Sequence, residues 1–188
     1  MPDVDLFAVA AGPGSFTGVR VGLTTVKAWA EVYGKPIAAV SRLEAIALQA
    51  MEGTKYAAAW ADARRGQVFG ALYQCGDDGL HRIADEMVIA PARFIETVAE
   101  LSAGQRISWA TTDPACLLDT DEWCAREKFN EALEVVSPHL AQAIARIGVK
   151  QWKKGQVVDA LALDANYVRR SDAELLWKPG AKSAAQTK

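Results

Sequence analysis

The sequence predicts an α/β protein whose first part contains a mostly parallel, layered sheet. From residue 4 to residue 51, apolar runs and helical patterns alternate as strand, helix, strand, helix, an order typical of parallel sheets. After Gly53 the pattern changes to three short strands separated by glycine-bearing turns, which is typical of an antiparallel meander. Because 51% of the 188 residues are hydrophobic, the chain can bury a core of its own.

The first strand and helix are the most clearly delimited part of the chain. Residues 4–12 are apolar almost throughout, as in a buried strand, and a Gly-Pro-Gly segment ends that strand. A helix is predicted over Phe16 to Tyr33. Ser15 is placed to cap its N-terminus and Gly34 to end it in a left-handed conformation, while Pro36 forbids its continuation.

The elements that follow are predicted from shorter signals. Residues 36–40 form a second apolar strand, and Ser41 and Glu44 match a capping box that opens a helix to about Met51. The meander strands are predicted at 55–63, 67–75 and 80–90. The order continues with a helix from Pro91, a strand at 106–112, an ambiguous stretch at 113–130 and a strand at 132–137. The last predicted element is a helix that is capped by Ser137, has Pro138 at its first position and ends at Gly155.

Three strands followed by helix, strand and helix is the element order of one ribonuclease-H-like half. The sequence therefore predicts two lobes, the first of which begins late, at its fourth strand. We expect a partial first ribonuclease-H-like lobe at 1–53, a second lobe at 54–163, and a C-terminal tail at 164–188 whose end is disordered.

Composition and charge exclude several classes of function. The net charge of -2 argues against a broad basic face for nucleic acid. No apolar run approaches the roughly 20 residues that span a bilayer, and no secretory signal pattern is present, so a cytoplasmic protein is expected. Three scattered cysteines (Cys75, Cys116 and Cys124) and two distant histidines (His81 and His139) do not form a zinc-binding pattern. We expect free thiols, no metal and no cofactor.

The glycine-rich segment 10–22, AAGPGSFTGVRVG, invites a catalytic or phosphate-binding interpretation. It is neither a Walker A loop nor a dinucleotide fingerprint, and Ser15 is not in a nucleophile elbow, so the sequence favours a helix cap over a nucleophile. A phosphate-binding loop formed by Gly12, Gly14, Ser15 and Thr17 stays open, because free N–H groups at a helix start attract anions.

The predicted first helix carries small residues on one face. Gly18 and Gly22 are four apart, and Thr25 and Trp29 continue the same stripe. Each glycine inside a helix costs about 1 kcal/mol relative to alanine, so a close approach by a second helix is the expected compensation. Spacing alone leaves open whether that second helix belongs to this chain or to a partner.

Four segments carry a resemblance to a known family. They are GPGSFTGVRVGL, AVSRLEAIA, ADARRGQVFGALY (through Asp62, Arg64, Gly66, Val68, Phe69 and Ala71) and ANYVRRSDAE (through Tyr167 and Arg169). Together they resemble the TsaB (YeaZ) family. The members of that family are non-catalytic partners in making threonylcarbamoyladenosine at position 37 of tRNAs that read ANN codons.

The resemblance implies fold, partners and interface. It implies the ASKHA (actin-like) architecture of two ribonuclease-H-like lobes and dimerisation with the catalytic paralogue TsaD or with a second copy. TsaE, an ATPase, would complete the complex, tRNA would be met only indirectly, and no membrane would be involved. The helix after the Gly-Pro-Gly loop would form the partner interface through Phe16, Gly18, Gly22, Thr25 and Trp29. The His-x-x-x-His metal pair of TsaD-type enzymes has no counterpart in this sequence.

Two further expectations accompany the resemblance. Family members begin with strands and a helix that precede the Gly-Pro-Gly loop, which leaves a sheet edge exposed near residues 4–12. Either the start is too late, through a misassigned start or a true deletion, or another chain fills the gap, and the first explanation is favoured. Asp62 and Arg64 lie at a strand-to-turn junction, where they either make a polar contact at the lobe boundary or serve turn chemistry. The alternative function is a stand-alone ASKHA phosphotransferase or glycoprotease-like hydrolase.

Overall fold

The computed structural model describes residues 3–50, 53–114, 120–127, 131 and 133–168. The strands are β1 (Phe7–Gly12), β2 (Ile37–Ser41), β3 (Tyr56–Arg64), β4 (Gln67–Gly76), β5 (Gly79–Arg82), β6 (Met87–Ile89), β7 (Ile107–Thr111) and β8 (Leu133–Val135). The helices are α1 (Phe16–Tyr33), α2 (Arg42–Ala47), α3 (Pro91–Leu101), α4 (Asp121–Glu127) and α5 (Ala141–Lys153). Cys116, Arg169 and the predicted tail beyond residue 168 lie outside the described residues.

The first sheet unit consists of β1 and β2, which run parallel between two helices. Because side chains alternate along a strand, Phe7 and Val9 face α1, and Ala8 faces α5. Ala8 and Ala38 leave so little room that a Cβ built on Gly148 of α5 would lie 2.7 Å from the Ala8 Cβ. Val158 extends this unit by one antiparallel bridge to Ile37.

The predicted first helix is confirmed with the bounds expected from its caps. The Ser15 side-chain oxygen accepts a hydrogen bond from the Gly18 N–H at 3.4 Å. At the other end Gly34 has a φ of +61° and its N–H donates to the Ala30 carbonyl, so the left-handed residue satisfies an end carbonyl as predicted.

The second sheet has the order β5-β4-β3-β7-β8, with β6 also paired to β4. β3 and β4 are antiparallel, whereas β3–β7 and β7–β8 are parallel. One face of this sheet packs on α2, and the other packs on α3 and α4 around Trp60, Trp109 and Trp123. The meander followed by parallel strands confirms the predicted element order.

Three predicted boundaries are wrong, and each has a local cause. The strand expected at 80–90 is two strands, because the chain turns between them and the Glu86 carboxylate accepts hydrogen bonds from Ser41, Tyr73 and Asn166. The helix expected to reach residue 51 ends at Ala47. Beyond that end the backbone forms hydrogen bonds of the turn type, and the Ser108 hydroxyl donates to one of the carbonyls that follow.

The third wrong boundary is the start of α5. Its predicted cap, Ser137, accepts a hydrogen bond from the His139 N–H in a short turn of its own. The helix therefore begins at Ala141 rather than at Pro138, and no side chain caps it. The predicted end is confirmed, since Gly155 has a φ of +70°.

The β4–β5 hairpin is tied to α5 by an exposed carboxylate. Asp78 accepts hydrogen bonds from Lys154 at 2.8 Å and from His81 at 2.6 Å, and these bonds lower the pKa of its carboxyl to about 2. A folded-state pKa below the ordinary value gives a stabilisation that is present above about pH 4 and is lost as the pH falls through about 2.

We therefore expect the stability advantage of the wild type over Asp78→Asn to be full at pH 5 and to shrink steadily toward pH 2. Urea unfolding midpoints of both proteins, measured at closely spaced pH values, check this. Asp77→Asn at the same hairpin tip is the control for the change in net charge. A difference between wild type and Asp78→Asn that does not vary with pH would contradict the role of this ion pair.

Candidate functional site

Helix α1 has three distinct faces. Successive residues advance by about 100° around a helix, so residues three and four apart share a face. Leu23, Val26 and Ala30 are buried against β1 and form the core face. Arg20, Thr24, Lys27 and Glu31 lie together on a polar face. The remaining sector is neither buried nor polar.

That remaining sector, the outward face, is apolar and exposed. Its members are Gly18, Val21, Gly22, Thr25, Ala28, Trp29 and Val32. Val21 is 61% exposed, Trp29 41% and Val32 75%, and the Thr25 hydroxyl donates to the Val21 carbonyl within the helix. Singly exposed apolar residues are ordinary, but a contiguous stripe of this length along one helix is typical of an interaction site.

The two glycines of the outward face are open to a neighbour. A Cβ built on Gly18 would have only Ser15 atoms within 4 Å, the nearest at 3.6 Å, and one on Gly22 would have only the Val9 Cγ2, at 3.9 Å. Thus, among the described residues, no second helix occupies the space that the glycines leave. The structure brings Gly18, Gly22, Thr25 and Trp29 together on this face.

Phe16, the fifth residue predicted for the interface, lies elsewhere. Its ring stacks under the Arg20 guanidinium, 3.7 Å from the ring centroid, and lies 5.5 Å from the Tyr167 ring centroid. The Arg20 Nε donates to the Tyr167 hydroxyl at 2.8 Å. Phe16 therefore lines a cleft beside the start of α1 and does not extend the outward face.

The cleft is a cavity of about 1030 Å³ between the Gly-Pro-Gly loop and the β3–β4 turn. Of the four residues predicted for a phosphate loop, Gly14 and Ser15 line it, whereas Gly12 and Thr17 do not. Gly12 has a φ of +121°, and a Cβ there would lie 2.7 Å from the Asn166 carbonyl oxygen. The space that this glycine leaves is therefore occupied by the backbone of Asn166 in the same chain and is not open to a ligand.

Asp62 and Arg64 form the opposite wall of the cleft. The Asp62 carboxylate accepts a hydrogen bond from the Arg64 N–H at 2.6 Å and pairs with its guanidinium at 3.2 Å. Arg64, Arg65 and Gly66 all have positive φ, so the carboxylate holds a tight turn in an unusual backbone conformation. The pair therefore serves turn chemistry, as one of the two sequence interpretations has it, and a polar contact to a ligand or partner at the lobe boundary stays a prediction.

Among the described residues, no group of three or more His, Cys, Asp or Glu side chains could hold a metal ion. Within the same residues, no helix is both long enough and apolar enough to cross a membrane. Cys75 and Cys124 are free thiols, as predicted.

Sequence comparisons decide the family. The family profile "TsaD: tRNA N6-adenosine threonylcarbamoyltransferase" matches residues 1–152. The tRNA threonylcarbamoyladenosine biosynthesis protein TsaB of Bacillus subtilis (strain 168) is 38% identical over 184 residues, which cover 93% of this chain and 74% of that protein. The chain belongs to the TsaB (YeaZ) family. TsaB of Escherichia coli (strain K12) is 34% identical over 114 residues, covering 59% of this chain and 48% of that protein.

Solved structures of TsaB-family proteins share the fold. The structure described as YeaZ from Pseudomonas aeruginosa has a TM-score of 0.70 and 28% identity, and the match covers 88% of this chain and 74% of that one. A second structure from that organism, of a protein with similarity to the peptidase YEAZ, also gives a TM-score of 0.70, with 27% identity and coverage of 89% and 75%. The predicted ASKHA, ribonuclease-H-like fold is confirmed.

Sequence reasoning missed part of each site. Val21 and Val32 share the helical sector of Gly18 and Gly22, and a full helical projection would have added them to the predicted stripe. Arg20 and Arg42 had no such signal, because they are distant in sequence and only the fold places both at the cleft.

Proposed function

We propose that this chain is a non-catalytic partner of a TsaD-type enzyme in the threonylcarbamoyladenosine modification of tRNA. The single observation that carries the proposal is the outward face of α1, an exposed apolar stripe with two open glycines. Such a face suits a second helix that packs closely, because the missing side chains let two backbones approach. Docking on this face would hold the partner enzyme in its active arrangement, and this chain would supply no catalytic group.

The TsaD-type paralogue is the proposed occupant of that face. The profile that matches residues 1–152 is named for the transferase, so a transferase of related fold can present a corresponding helix. A second copy of this chain is the alternative occupant, a TsaE-type ATPase is the proposed third component, and tRNA is contacted indirectly. The lobe division at residues 53 and 163 is part of the same proposal.

The residues do not favour an enzyme of its own. The Ser15 oxygen is engaged as a helix cap, and the Asp62 carboxylate is engaged by Arg64. His81 pairs with Asp78 at a hairpin and His139 follows β8, and the sequence has no His-x-x-x-His spacing like that of TsaD-type enzymes. We expect the isolated chain not to turn over ATP or threonylcarbamoyl-adenylate, and appreciable turnover would favour a phosphotransferase or hydrolase instead.

Gly22→Trp tests the docking face. We expect this change to weaken binding to a co-expressed TsaD-type transferase by about 30-fold or more, because an indole there would hold the partner helix away. Thr24→Trp places the same side chain on the polar face of the same helix and is the matched control. Affinity is measured by titration calorimetry, and circular dichroism melting checks that both variants stay folded.

The outcomes separate the occupants. Loss of the transferase complex with Gly22→Trp alone supports the proposal. Equal affinity for the wild type and both variants would remove the outward face from the function. If the transferase still binds Gly22→Trp while a homodimer of the chain is lost in sedimentation, the face serves self-association and the proposed partner is wrong.

A further inference from the structure

A second cavity, the hairpin pocket, lies where the β4–β5 hairpin meets α2 and α5. Its volume is about 410 Å³, within the range of small-molecule sites, and it shares no lining residue with the cleft. The ion pair between Asp78 and Lys154 holds the hairpin against α5 and forms part of the lining. The walls of the pocket therefore come from three elements that only the fold brings together.

Glu44 contributes a carboxylate to this pocket that its own chain does not satisfy. In a capping box the glutamate side chain accepts a hydrogen bond from the N–H of the capping residue, here Ser41. The Glu44 N–H does donate to the Ser41 hydroxyl, but the carboxylate has neither a hydrogen bond nor an ion pair among the described residues. Burial raises the pKa of this carboxyl, and the nearby Glu86 carboxylate raises it further. A half-buried carboxylate without a donor is destabilising unless a donor binds beside it.

Two cations lie on the same pocket at its exposed side. Lys150 and Arg82 both lower the pKa of Glu44, but neither comes within ion-pair distance of its carboxylate. In the described part of the chain Lys150 has no carboxylate within that distance, and Arg82 meets only the fully exposed Asp85, at 3.8 Å. A Cβ built on Gly79 would lie 3.2 Å from the Lys150 Nζ, so the glycine gives this ammonium its place beside the hairpin. The pocket thus has an unpaired anion on one side and unpaired cations on the other.

We infer that the hairpin pocket binds a free α-amino acid as its zwitterion, with the ammonium group against Glu44 and the carboxylate against Lys150 and Arg82. An ammonium group brings three donors to an acceptor that has none, and a carboxylate brings acceptors to the two cations. A simple cation would be repelled by the exposed side, and a simple anion would be repelled by Glu44. The inference depends neither on the proposed function nor on any protein partner.

The Gln151 amide is a second acceptor in the same lining. Its Nε2 lies 3.5 Å from the Ala39 carbonyl oxygen, the long limit of a hydrogen bond, and its Oε1 is buried without a donor among the described residues. The last torsion of a glutamine side chain is broad, so the amide can turn its oxygen toward an ammonium group in the pocket at small cost.

The apolar part of the lining favours an aliphatic side chain on the ligand. Leu48, Leu80 and Ile147 line the pocket beside the Tyr73 ring. Burying a branched aliphatic group against these side chains adds a hydrophobic contribution that glycine lacks. We therefore expect valine to bind more tightly than glycine, although both carry the same two charges.

Titration of the full chain with valine, isobutylammonium and isovalerate tests the site. The second probe is valine without its carboxylate, and the third is valine without its ammonium group. We expect saturable valine binding, observed as heat and by ligand-observed saturation-transfer NMR, with an affinity at least about tenfold higher than that of either analogue.

Two variants test the assigned contacts. Glu44→Gln and Lys150→Gln are each expected to weaken valine binding about tenfold or more, because each removes one charge partner of the zwitterion. Glu31→Gln and Lys153→Gln change exposed residues that do not line the pocket and are the matched controls, expected to bind like the wild type. Because glutamine removes a half-buried charge, Glu44→Gln is also expected to raise the melting temperature of the ligand-free chain, which loss of a structural carboxylate would not do.

The outcomes decide between a zwitterion site and the simpler alternatives. No saturation by valine below about 10 mM, or equal valine affinity in the wild type, Glu44→Gln and Lys150→Gln, would overturn the inference. Isobutylammonium binding as tightly as valine would make the pocket a cation site, and isovalerate binding as tightly would make it an anion site, so either result overturns the assignment. If Glu44→Gln fails to fold, the exposed change Lys150→Gln decides the test by itself.

Discussion

Replacing Glu131 by alanine is expected to lower the free energy of unfolding by about 3–5 kcal/mol, the usual cost of breaking a buried ion pair by removing one partner. The Glu131 side chain is only 2% exposed, and that of Arg126 is 13% exposed. Water therefore cannot replace the lost carboxylate. Since a domain of this kind is stable by only about 5–15 kcal/mol, the change consumes a large part of the total.

Glu131 is expected to matter this much because its carboxylate connects two elements, α4 and β7. Its two oxygens accept a paired set of bonds from Arg126 of α4, at 2.6 and 2.8 Å. The same carboxylate accepts the Trp109 indole N–H at 2.7 Å and the Ile107 N–H at 3.3 Å, both from β7. Alanine would leave a guanidinium and an indole donor without these acceptors in a nearly dry site.

Glu134→Ala is the matched control, because Glu134 is exposed on the neighbouring strand β8. Surface changes of that kind usually alter stability by less than about 0.5 kcal/mol. Chemical unfolding monitored by tryptophan fluorescence measures both variants, since Trp109 and Trp123 lie in the same cluster. Equal unfolding midpoints for Glu131→Ala and Glu134→Ala would show that the buried pair contributes nothing.

Local signals predicted the first helix well and the buried carboxylate not at all. Ser15, Gly34 and Pro36 act within a few residues of the helix ends, so no tertiary information was needed. Glu131 stands in a stretch without periodicity, and its partner Trp109 lies 22 residues away. The split between β5 and β6 was missed for the same reason, because the Glu86 contacts to Ser41 and Asn166 come from distant parts of the chain.

The two candidate sites, the outward face and the cleft, also differ in how far local sequence signals could predict them. Gly18, Gly22, Thr25 and Trp29 are periodic along one helix, and helical spacing is fixed by backbone geometry, so the sequence could place them on one face. The sequence could not show whether a helix of this chain or a helix of a partner covers that face. The cleft required the fold, since its walls come from α1, from the start of α2 and from the β3–β4 turn.

A consequence of this layout is that α1 borders two surfaces at once. Its first turn lies at the cleft, through Phe16, while the rest of its length carries the outward face.

The two glycine positions Gly70 and Gly22 are expected to respond with opposite signs to the same change. A Cβ built on Gly70 of β4 would lie 2.3 Å from the Phe94 Cε2, and the Phe94 ring is fully buried against Trp60 and Trp109. Because that ring cannot move without displacing its neighbours, Gly70→Ala is expected to destabilise the fold by about 1–3 kcal/mol.

Gly22→Ala is the matched comparison, because a Cβ there meets only the Val9 Cγ2 at an ordinary 3.9 Å. In a helix interior that change is expected to stabilise the isolated chain by about 1 kcal/mol. Urea unfolding measures both variants, and Phe94→Ala provides the decisive background. If the clash is the cause, Gly70→Ala loses most of its cost once the ring is gone, whereas an unchanged cost would place the strain in the backbone of β4. A glycine that the core requires is thus distinguished from one whose removal helps the isolated fold, and the proposed docking partner would account for the latter.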